Sequence, residues 1–339
     1  MSNFVSKRLL IKLGTQCNLG CTHCHQVQKN SSLNPDLIPW IQNQSFDRIT
    51  FSGGEPLMYF PLIRQIMETL GKNVTYRMMT NGTLLTKNIC DYLGTYPHIV
   101  LGISFDGFNS GRDESIPIKW KVLKDYKHSF GISSCFSNPN KSFQEVFRDI
   151  HLVHKNNGLP LRPFDFYKIN FLHQTADAPN IFVTKAVADK FILESTFQVE
   201  KLFYCLAQNV GGLDGMVQNL LSRWYKPKSF CHGCACCNEN MISVNIDGTF
   251  SLCPYGKVLI GDIKQGIDWN AVETSVPKKC RSCEFWKICS CSCVANVTGH
   301  ECYINRKMIP AVAMLARDYR VEEKLNRIFK INSASSLGT

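Results

Sequence analysis

The first half of the chain alternates short apolar runs with longer amphipathic stretches. Runs rich in β-branched and aromatic residues are typical of buried strands. They predict six strands: Leu9–Leu13, Arg48–Ser52, Val74–Thr80, Ile99–Ser104, Gly131–Phe136 and Phe164–Phe171. Apolar residues at helical spacing predict four helices between them: Tyr59–Leu70, Leu84–Leu93, Lys119–Lys127 and Phe143–Asn156. Strands that alternate with helices favour a parallel sheet, doubly wound or barrel-like, whose ligands bind at the carboxyl ends of the strands.

The pattern changes in the second half of the chain. Thr184–Tyr225 is predicted to be helical with a break at Gly211–Gly212, and regular periodicity fades after Phe230. Two features stand out beyond that point, a hairpin-like MISVNIDGTFSLCPY with Asp-Gly at its turn and a charged helix over Ala311–Phe329. The chain is therefore divided into three parts: a βα domain over residues 1–225, a cysteine-rich domain with a terminal helix over 226–330, and a frayed tail over 331–339.

Composition is consistent with a globular protein inside the cell. The chain has 339 residues, 44% of them hydrophobic and 19% charged, which is enough for a sizeable core. No apolar run approaches the roughly 20 residues that span a bilayer, and the N-terminus lacks the features of a secretory signal, so we expect a cytoplasmic protein. The formal net charge is +11 without a basic run interleaved with aromatics, which argues against nucleic acid and favours an acidic peptide or an acidic electron donor.

Seventeen cysteines are unusual for such a chain. Disulfide scaffolds are small secreted domains, and an odd count without an export signal does not fit them. Clustered thiols in a reducing compartment favour zinc or iron–sulfur binding.

Three of the cysteines form a C-x3-C-x2-C motif directly after the first predicted strand. They are Cys17, Cys21 and Cys24 in CNLGCTHC. Three thiolates can hold three irons of a [4Fe–4S] cluster and leave the fourth iron open, as a reactive site requires. Zinc is the alternative, although its loops usually carry paired C-x2-C knuckles.

At this motif the sequence resembles the radical S-adenosylmethionine (SAM) enzymes. The resemblance continues at the ends of the next three predicted strands, with SGGEP, MTNGTLL and GISFDG in order. It implies a partial (β/α)6 TIM-like barrel with one cluster and SAM at its top face. It also implies SAM contacts for Gly53, Gly54 and Glu55 at the methionine amino group, for Asn81, and for Ser104 at the ribose. In such enzymes an electron from the cluster cleaves SAM to a 5′-deoxyadenosyl radical, which abstracts hydrogen from the substrate.

The C-terminal cysteines resemble, position for position, the SPASM extension of these enzymes, a small cysteine-rich domain that binds two auxiliary [4Fe–4S] clusters. The resemblance implies three clusters in all. It assigns the ligands of the first auxiliary cluster to Cys231, Cys237, Cys253 and Cys293. It assigns those of the second to Cys280, Cys283, Cys289 and Cys302. Structural zinc would explain only Cys280 and Cys283.

Six cysteines fall outside these ligand sets. Cys234, Cys236 and Cys291 are expected not to be ligands, although Cys234 or Cys236 could replace Cys231 and a free thiol could donate a hydrogen atom. The other three stand in apolar contexts and are expected to be buried thiols: Cys90, Cys135 and Cys205.

The SPASM resemblance implies an oxidoreductase that modifies a peptide or protein. In the sulfatase-maturing branch an aspartate directly follows the cysteine that matches Cys253, and it acts as general base. Here Pro254 and Tyr255 follow, and neither has a carboxylate. We therefore favour RiPP (ribosomal-peptide) maturation, in which a precursor peptide receives an intramolecular C–C (cyclophane) or thioether crosslink. Oxidation of Ser or Cys to formylglycine is the alternative, and Tyr255 and Asp106 are weak candidates for proton transfer.

The expected partners follow from this interpretation. They are a precursor peptide, an electron donor such as flavodoxin or ferredoxin, and a separate peptide-recognition protein, since little sequence precedes Cys17. No nucleic acid or membrane is expected. A non-catalytic electron carrier, the third class considered, would need neither the GGEP motif nor an open three-cysteine loop.

Overall fold

The computed structural model describes most of the barrel and parts of the C-terminal half. The described residues are 8–24, 31–34, 36–112, 116–136, 141–160, 167–171, 184–222, 224–225, 241–251, 259–268, 270–271, 280, 282–289 and 300–331. Within them, no helix is long and apolar enough to cross a membrane.

The strands of the described residues join one sheet. They are β1 Arg8–Lys12, β2 Arg48–Ser52, β3 Thr75–Thr80, β4 Ile99–Ser104, β5 Phe130–Phe136, β6 Tyr167–Phe171, β7 Met241–Val244, β8 Thr249–Ser251, β9 Leu259–Asp262 and β10 Gly266–Ile267. The sheet order is β10-β9-β8-β7-β1-β2-β3-β4-β5-β6. All six strands predicted for the first half are confirmed, and β1 to β6 are parallel neighbours in chain order.

Nine helices lie within the described residues. They are α1 Leu37–Gln42, α2 Phe60–Leu70, α3 Lys87–Leu93, α4 Phe143–Asn156, α5 Lys185–Ala207, α6 Asp214–Leu221, α7 Trp286–Cys289, α8 His300–Asp318 and α9 Glu322–Phe329. Apolar side chains of α1 to α4 and alternate strand residues form one continuous core. This arrangement confirms the TIM-like α/β fold, in which the other face of the sheet lines the barrel interior.

Two helix predictions differ from the structure, and one helix of the structure is additional. The helix predicted over Lys119–Lys127 is a 3₁₀ run over Ile116–Asp125, where Trp120 and Leu123 are both buried at the three-residue spacing that 3₁₀ geometry aligns. The single helix predicted over Ala311–Phe329 is two helices, α8 and α9, because Arg320 between them takes a positive φ of 54°. The short helix α1 was not predicted.

The C-terminal hairpin extends the barrel sheet. Strand β7 pairs in parallel with β1, with Leu9 opposite Ile242 and Ile11 opposite Val244. The Asp-Gly turn predicted between β7 and β8 is present, and Gly248 takes the positive φ of 84° that such a turn requires. The sheet therefore continues across the domain boundary predicted near residue 226.

A second apolar core holds the helices of the C-terminal half. Helix α5 packs along α8, and α6 packs against α9. Trp224 is buried in this core, and its Nε1 donates to Oδ1 of Asn305 at 3.0 Å. The break predicted at Gly211–Gly212 separates α5 from α6.

Candidate cofactor site at the top of the barrel

The residues predicted to bind the first cluster and SAM lie at one end of the sheet. The loop that follows β1, residues 13–24, carries Cys17, Cys21 and Cys24 and is called the cluster loop below. The Gly-Gly turn follows β2, Asn81 follows β3, and Ser104 is the last residue of β4. Because β1 to β4 are parallel and in register, their carboxyl ends meet at the same edge.

The Gly-Gly turn packs directly against the backbone of the cluster loop. The amide of Gly54 donates to the carbonyl of Gly14 at 3.0 Å, and the amide of Glu55 donates to that of Gln16 at 2.8 Å. A Cβ on Gly53 would lie 2.4 Å from the Gly14 oxygen, and one on Gly54 would lie 2.0 Å from the Gln16 oxygen. Both positions therefore require glycine to let the two backbones approach.

Glu55 joins the ends of β2 and β3. Its side chain is only 1% exposed, and it accepts hydrogen bonds from Leu57 N at 3.0 Å, Thr80 Oγ1 at 2.6 Å and Asn81 N at 2.7 Å. Burial raises the pKa of Glu55, and the three hydrogen bonds only partly oppose that rise. The carboxylate therefore holds the backbone at the ends of β2 and β3 in place, in addition to the SAM contact that the family resemblance implies for it.

Asn81 connects β3 to the first cysteine of the motif. Its Nδ2 donates to Oδ1 of Asn18 at 3.0 Å and lies 3.8 Å from Sγ of Cys17. Its Oδ1 accepts from both the amide and the hydroxyl of Thr83, at 2.9 and 2.7 Å. The Asn81 side chain is thus held in a single orientation beside the Cys17 thiol.

The three thiols of the cluster loop are suited to a shared cluster. Cys17 and Cys21 are half-buried and Cys24 is exposed. Burial raises the pKa of Cys17 and of Cys21, and the neighbouring cysteines add to the rise, while Arg112 opposes it at Cys21. No three His, Cys, Asp or Glu side chains of the described residues converge closely enough for a single metal ion. A four-iron cube spaces its thiolates more widely than one ion does, so three thiols on one open loop fit it better.

Asp106 fixes the cluster loop from the end of β4. Its buried carboxylate lies 3.0 Å from His23 Nε2 and 2.9 Å from Arg112 Nε, and it also accepts from the amide of Cys135 at 2.6 Å. Burial by itself raises the pKa of Asp106, but the hydrogen bond with His23 and the charge of Arg112 outweigh burial and lower it. With both oxygens engaged by the protein, Asp106 is placed to position the loop rather than to transfer protons.

A second contact reinforces this link. The amide of Thr22, next to His23, donates to the carbonyl of Gly111 at 3.2 Å. Gly111 has a φ of 80°, and a Cβ there would lie 2.2 Å from the Thr22 hydroxyl. His23 and Arg112 were not predicted from the sequence, because nothing in the local motifs relates them to a carboxylate more than eighty residues from His23.

Replacing Asp106 with asparagine should therefore loosen the cluster loop. The substitution leaves the largely buried Arg112 without its counter-charge, and we expect a loss of about 2 kcal/mol in the free energy of unfolding together with faster loss of iron. Thermal melting and iron content report the two effects. Asp91→Asn is the matched control, since its ion pair with Lys87 is exposed and contributes no more than about 0.5 kcal/mol. Equal effects of the two variants would contradict the role given to Asp106.

Four of the predicted auxiliary ligands lie among the described residues. Cys280, Cys283, Cys289 and Cys302 are all half-buried. Asn305 Nδ2 lies 3.3 Å from Sγ of Cys289, and Arg306 lies 4.0 Å from Sγ of Cys283 and also pairs with Cys302. Adjacent residues of α8 thus contact three of the four thiols, which places these thiols around the first turns of one helix.

The remaining site predictions are only partly covered. The predicted ligands Cys231, Cys237, Cys253 and Cys293 lie outside the described residues, as do Cys234, Cys236, Cys291 and Tyr255. Cys90 is buried as predicted. Cys135 and Cys205, also predicted to be buried thiols, are only partly buried, because Cys135 lies on the interior face of β5 and Cys205 near the end of α5.

Residues 11–130 match the sequence model of the Radical SAM superfamily. This stretch contains the cluster loop, the Gly-Gly turn and the ends of β3 and β4. The match covers 120 of the 339 residues, about a third of the chain.

Two curated proteins are similar to part of the chain. An uncharacterized protein of Methanocaldococcus jannaschii is 29% identical over 42% of this chain and 57% of its own length. A serine-type anaerobic sulfatase-maturating enzyme of Bacteroides thetaiotaomicron is 26% identical over 30% of this chain and 30% of its own length. The match thus spans just over half of the first relative and less than a third of the second.

Solved structures are similar over a larger part of the chain. The structure of anSMEcpe with bound AdoMet and the Cp18Cys peptide gives a TM-score of 0.68 at 18% identity, covering 95% of this chain and 99% of that one. Streptococcus suis SuiB bound to the precursor peptide SuiA gives 0.57 at 14% identity, covering 85% of this chain and 71% of that one. At these identities the likeness establishes the shared fold.

Proposed function

We propose that this protein is a radical SAM/SPASM maturase that installs an intramolecular C–C or thioether crosslink in a ribosomally made precursor peptide. The observation that carries the proposal is the cluster loop, whose three thiols are held at the top of an open barrel by Glu55, Asn81 and Asp106. A loop that presents three thiols and is tied to the ends of β2, β3 and β4 suits a reactive cluster, since a structural metal site would be closed by a fourth ligand. Similarity in fold to SuiB, whose structure contains a precursor peptide, supports a peptide substrate.

Different residues of the site would bind the cluster and SAM. When bound, a [4Fe–4S] cluster and SAM would supply the one-electron chemistry that removes a hydrogen atom from the peptide. Cys17, Cys21 and Cys24 would hold the cluster. Glu55 and Asn81 would face SAM across the Gly-Gly turn, and Ser104 at the end of β4 would take the ribose.

The crosslinking reaction is an oxidation. Joining two side chains removes two hydrogens from the peptide, one as a hydrogen atom and the other as a proton and an electron. The auxiliary clusters predicted at the C-terminal cysteines would accept that electron, and a flavodoxin or ferredoxin would supply electrons to the first cluster. Three four-iron clusters amount to about twelve irons per chain.

Formylglycine formation is the second candidate. Similarity to the Bacteroides sulfatase-maturating enzyme favours it. Against it stands Pro254-Tyr255 after Cys253, where the resemblance to that branch calls for a carboxylate.

An assay of SAM cleavage tests the enzymatic proposal. The anaerobically reconstituted protein with dithionite should convert SAM to 5′-deoxyadenosine, and no conversion after full iron loading would refute both candidates. Co-expression with a short precursor peptide encoded beside the gene should then yield a peptide lighter by two hydrogens. Since oxidation of serine to formylglycine has the same mass change, a hydrazide reagent separates the two outcomes. A crosslinked peptide stays unlabelled, and an aldehyde-bearing peptide supports the second candidate.

A further inference from the structure

Three polar side chains form a closed hydrogen-bond cycle beside Cys17. Nδ2 of Asn81 donates to Oδ1 of Asn18 at 3.0 Å, and Nδ2 of Asn18 donates to Oγ1 of Thr83 at 2.7 Å. The Thr83 hydroxyl donates in turn to Oδ1 of Asn81 at 2.7 Å, which closes the cycle. Asn18 belongs to the cluster loop, whereas Asn81 and Thr83 follow β3. The cycle therefore ties the cluster loop to the end of a strand more than sixty residues away in sequence.

A backbone group fixes the direction of this cycle. The amide nitrogen of Thr83 lies 2.9 Å from the Asn81 side chain, and a backbone N–H can only donate. The Asn81 atom that it faces must therefore be Oδ1, because a flipped side-chain amide would set two donors against each other. With Oδ1 facing Thr83, Nδ2 of Asn81 faces Asn18 and Cys17.

The second hydrogen of this nitrogen is available to Cys17. An asparagine Nδ2 carries two hydrogens, and Asn18 accepts only one of them. Sγ of Cys17 lies 3.8 Å from Nδ2 and accepts the other. Asn81 is only 5% exposed, so water competes little for this N–H group. Burial raises the pKa of Cys17, and hydrogen bonds from the Leu19 amide and from Asn81 oppose that rise, as donors that stabilise a thiolate should.

A donor to a ligating thiolate affects the redox chemistry of an iron–sulfur cluster. Reduction by one electron makes the cluster and its ligands more negative, so an N–H group bonded to a ligand sulfur stabilises the reduced state more than the oxidised state. Hydrogen bonds to the sulfurs are for this reason one of the features by which proteins set cluster potentials. A donor that is held in one orientation makes a constant contribution.

We propose that the cycle holds Asn81 as a hydrogen-bond donor to the Cys17 thiolate, and that this bond raises the reduction potential of the cluster on the loop. Asn18 and Thr83 are then positioning residues that act through Asn81. The inference rests on the proposed function for the presence of the cluster and adds the means by which the chain sets its potential. It is separate from the SAM contact implied for Asn81, because the hydrogen bond acts whether or not SAM is bound.

A redox titration of the iron-loaded enzyme without SAM or peptide tests the proposal. Dithionite is the reductant, and electron paramagnetic resonance measures the reduced first cluster after the signal of the Cys17→Ala enzyme is subtracted. Asn81→Ala should lower the ratio of reduced to oxidised first cluster at a fixed potential about tenfold, which corresponds to about 59 mV for a one-electron couple. Thr83→Val keeps Asn81 but opens the cycle, and it should lower the ratio about threefold. Thr83→Ser keeps the hydroxyl and should restore the ratio.

A matched threonine variant serves as the control. Thr95→Val removes an exposed hydroxyl that donates to the carbonyl of Tyr92 at 2.7 Å after α3, and it should leave the potential unchanged. An unchanged potential in Asn81→Ala overturns the proposal. Equal shifts in Thr83→Val and Thr95→Val, or equal shifts in Thr83→Val and Thr83→Ser, also overturn it, because the hydroxyl of the cycle would then have no specific effect.

Further readouts keep the outcomes distinct. Melting temperature and iron content of each variant show whether the fold and the clusters persist, and the two Thr83 variants keep the test valid if Asn81→Ala does not load iron. SAM cleavage by the unsubstituted enzyme reports on the proposed function alone. A shift in potential without cleavage rejects only the enzymatic proposal, whereas cleavage without a shift rejects only the inference about Asn81. Absence of a first-cluster signal in the fully loaded enzyme overturns both.

Discussion

Cys17→Ala should lower 5′-deoxyadenosine formation by on the order of 10⁴-fold, the scale seen when a group on which the chemistry depends is removed. The cluster loop offers three thiols within eight residues, and Asn81 orients the first of them. With one thiol missing, only two irons of the cube retain a protein ligand. Chromatographic assay of 5′-deoxyadenosine after anaerobic reconstitution measures the loss.

Iron content should change in parallel. About four of roughly twelve irons per chain should be lost from Cys17→Ala, while the auxiliary clusters stay loaded. The control is Cys90→Ala, which removes a thiol buried in α3 away from the cofactor site. It should leave iron content unchanged and cost about 1 kcal/mol of stability, as for an average core substitution. A Cys17→Ala enzyme that retains both full iron and activity would show that this cysteine is not a ligand.

Glu55→Ala has the second-largest expected effect, a loss of about 3 kcal/mol in the free energy of unfolding. The substitution leaves Leu57 N, Thr80 Oγ1 and Asn81 N without an acceptor, and each buried donor costs about 1 to 3 kcal/mol. Relief of the desolvated carboxylate offsets part of that cost. Urea unfolding followed by circular dichroism provides the measurement.

Two variants define what Glu55 contributes. Glu55→Gln keeps an oxygen acceptor and the side-chain volume, so it should lose less stability than the alanine variant. Glu68→Ala removes an exposed carboxylate from α2 and should change stability by no more than about 0.5 kcal/mol. If Glu55→Ala is as mild as Glu68→Ala, then Glu55 does not hold the ends of β2 and β3 together.

The pKa of Glu55 also predicts a pH dependence. Because burial raises this pKa in the folded protein, the folded state binds more protons than the unfolded state between the ordinary carboxylate pKa and the raised one. The contribution of Glu55 to stability therefore decreases as pH rises through that interval and increases on acidification. The free energy of unfolding, measured at several mildly acidic pH values, should include this decrease with rising pH in the unsubstituted protein. The decrease should be smaller in Glu55→Gln.

Much of the barrel was predictable from the sequence because its signals are local. Apolar runs of five to seven residues identified β1 to β5 to within a residue or two at either end. The motifs at their ends then had to meet, since the carboxyl ends of parallel strands share one edge. The predicted helix boundaries were wrong where the local pattern was ambiguous. At Arg320, one residue with a positive φ separates two helices whose sequences form a continuous helical pattern.

The contacts that hold the site together depended on long-range packing. Nothing near Asp106 in sequence indicates that its carboxylate meets His23, and nothing near Glu55 indicates a hydrogen bond with the amide of Asn81. The glycines of the GGEP motif were predicted as ligand contacts, yet the structure shows that they are also required by the cluster-loop backbone. Such roles arise only once separate strands are brought side by side.

The sequence by itself determined the alternation of strands and helices and the spacing of the cysteines. It also determined which residues of each strand share one face of the sheet. Tertiary structure alone decided that β7 extends the sheet beside β1 and that Asp106 and Glu55 hold the cluster loop and its flanking turns. The physical reason is the range of the interactions: periodicity and turn preference act between near neighbours, whereas buried hydrogen bonds and charge pairs form only when the core packs distant segments together.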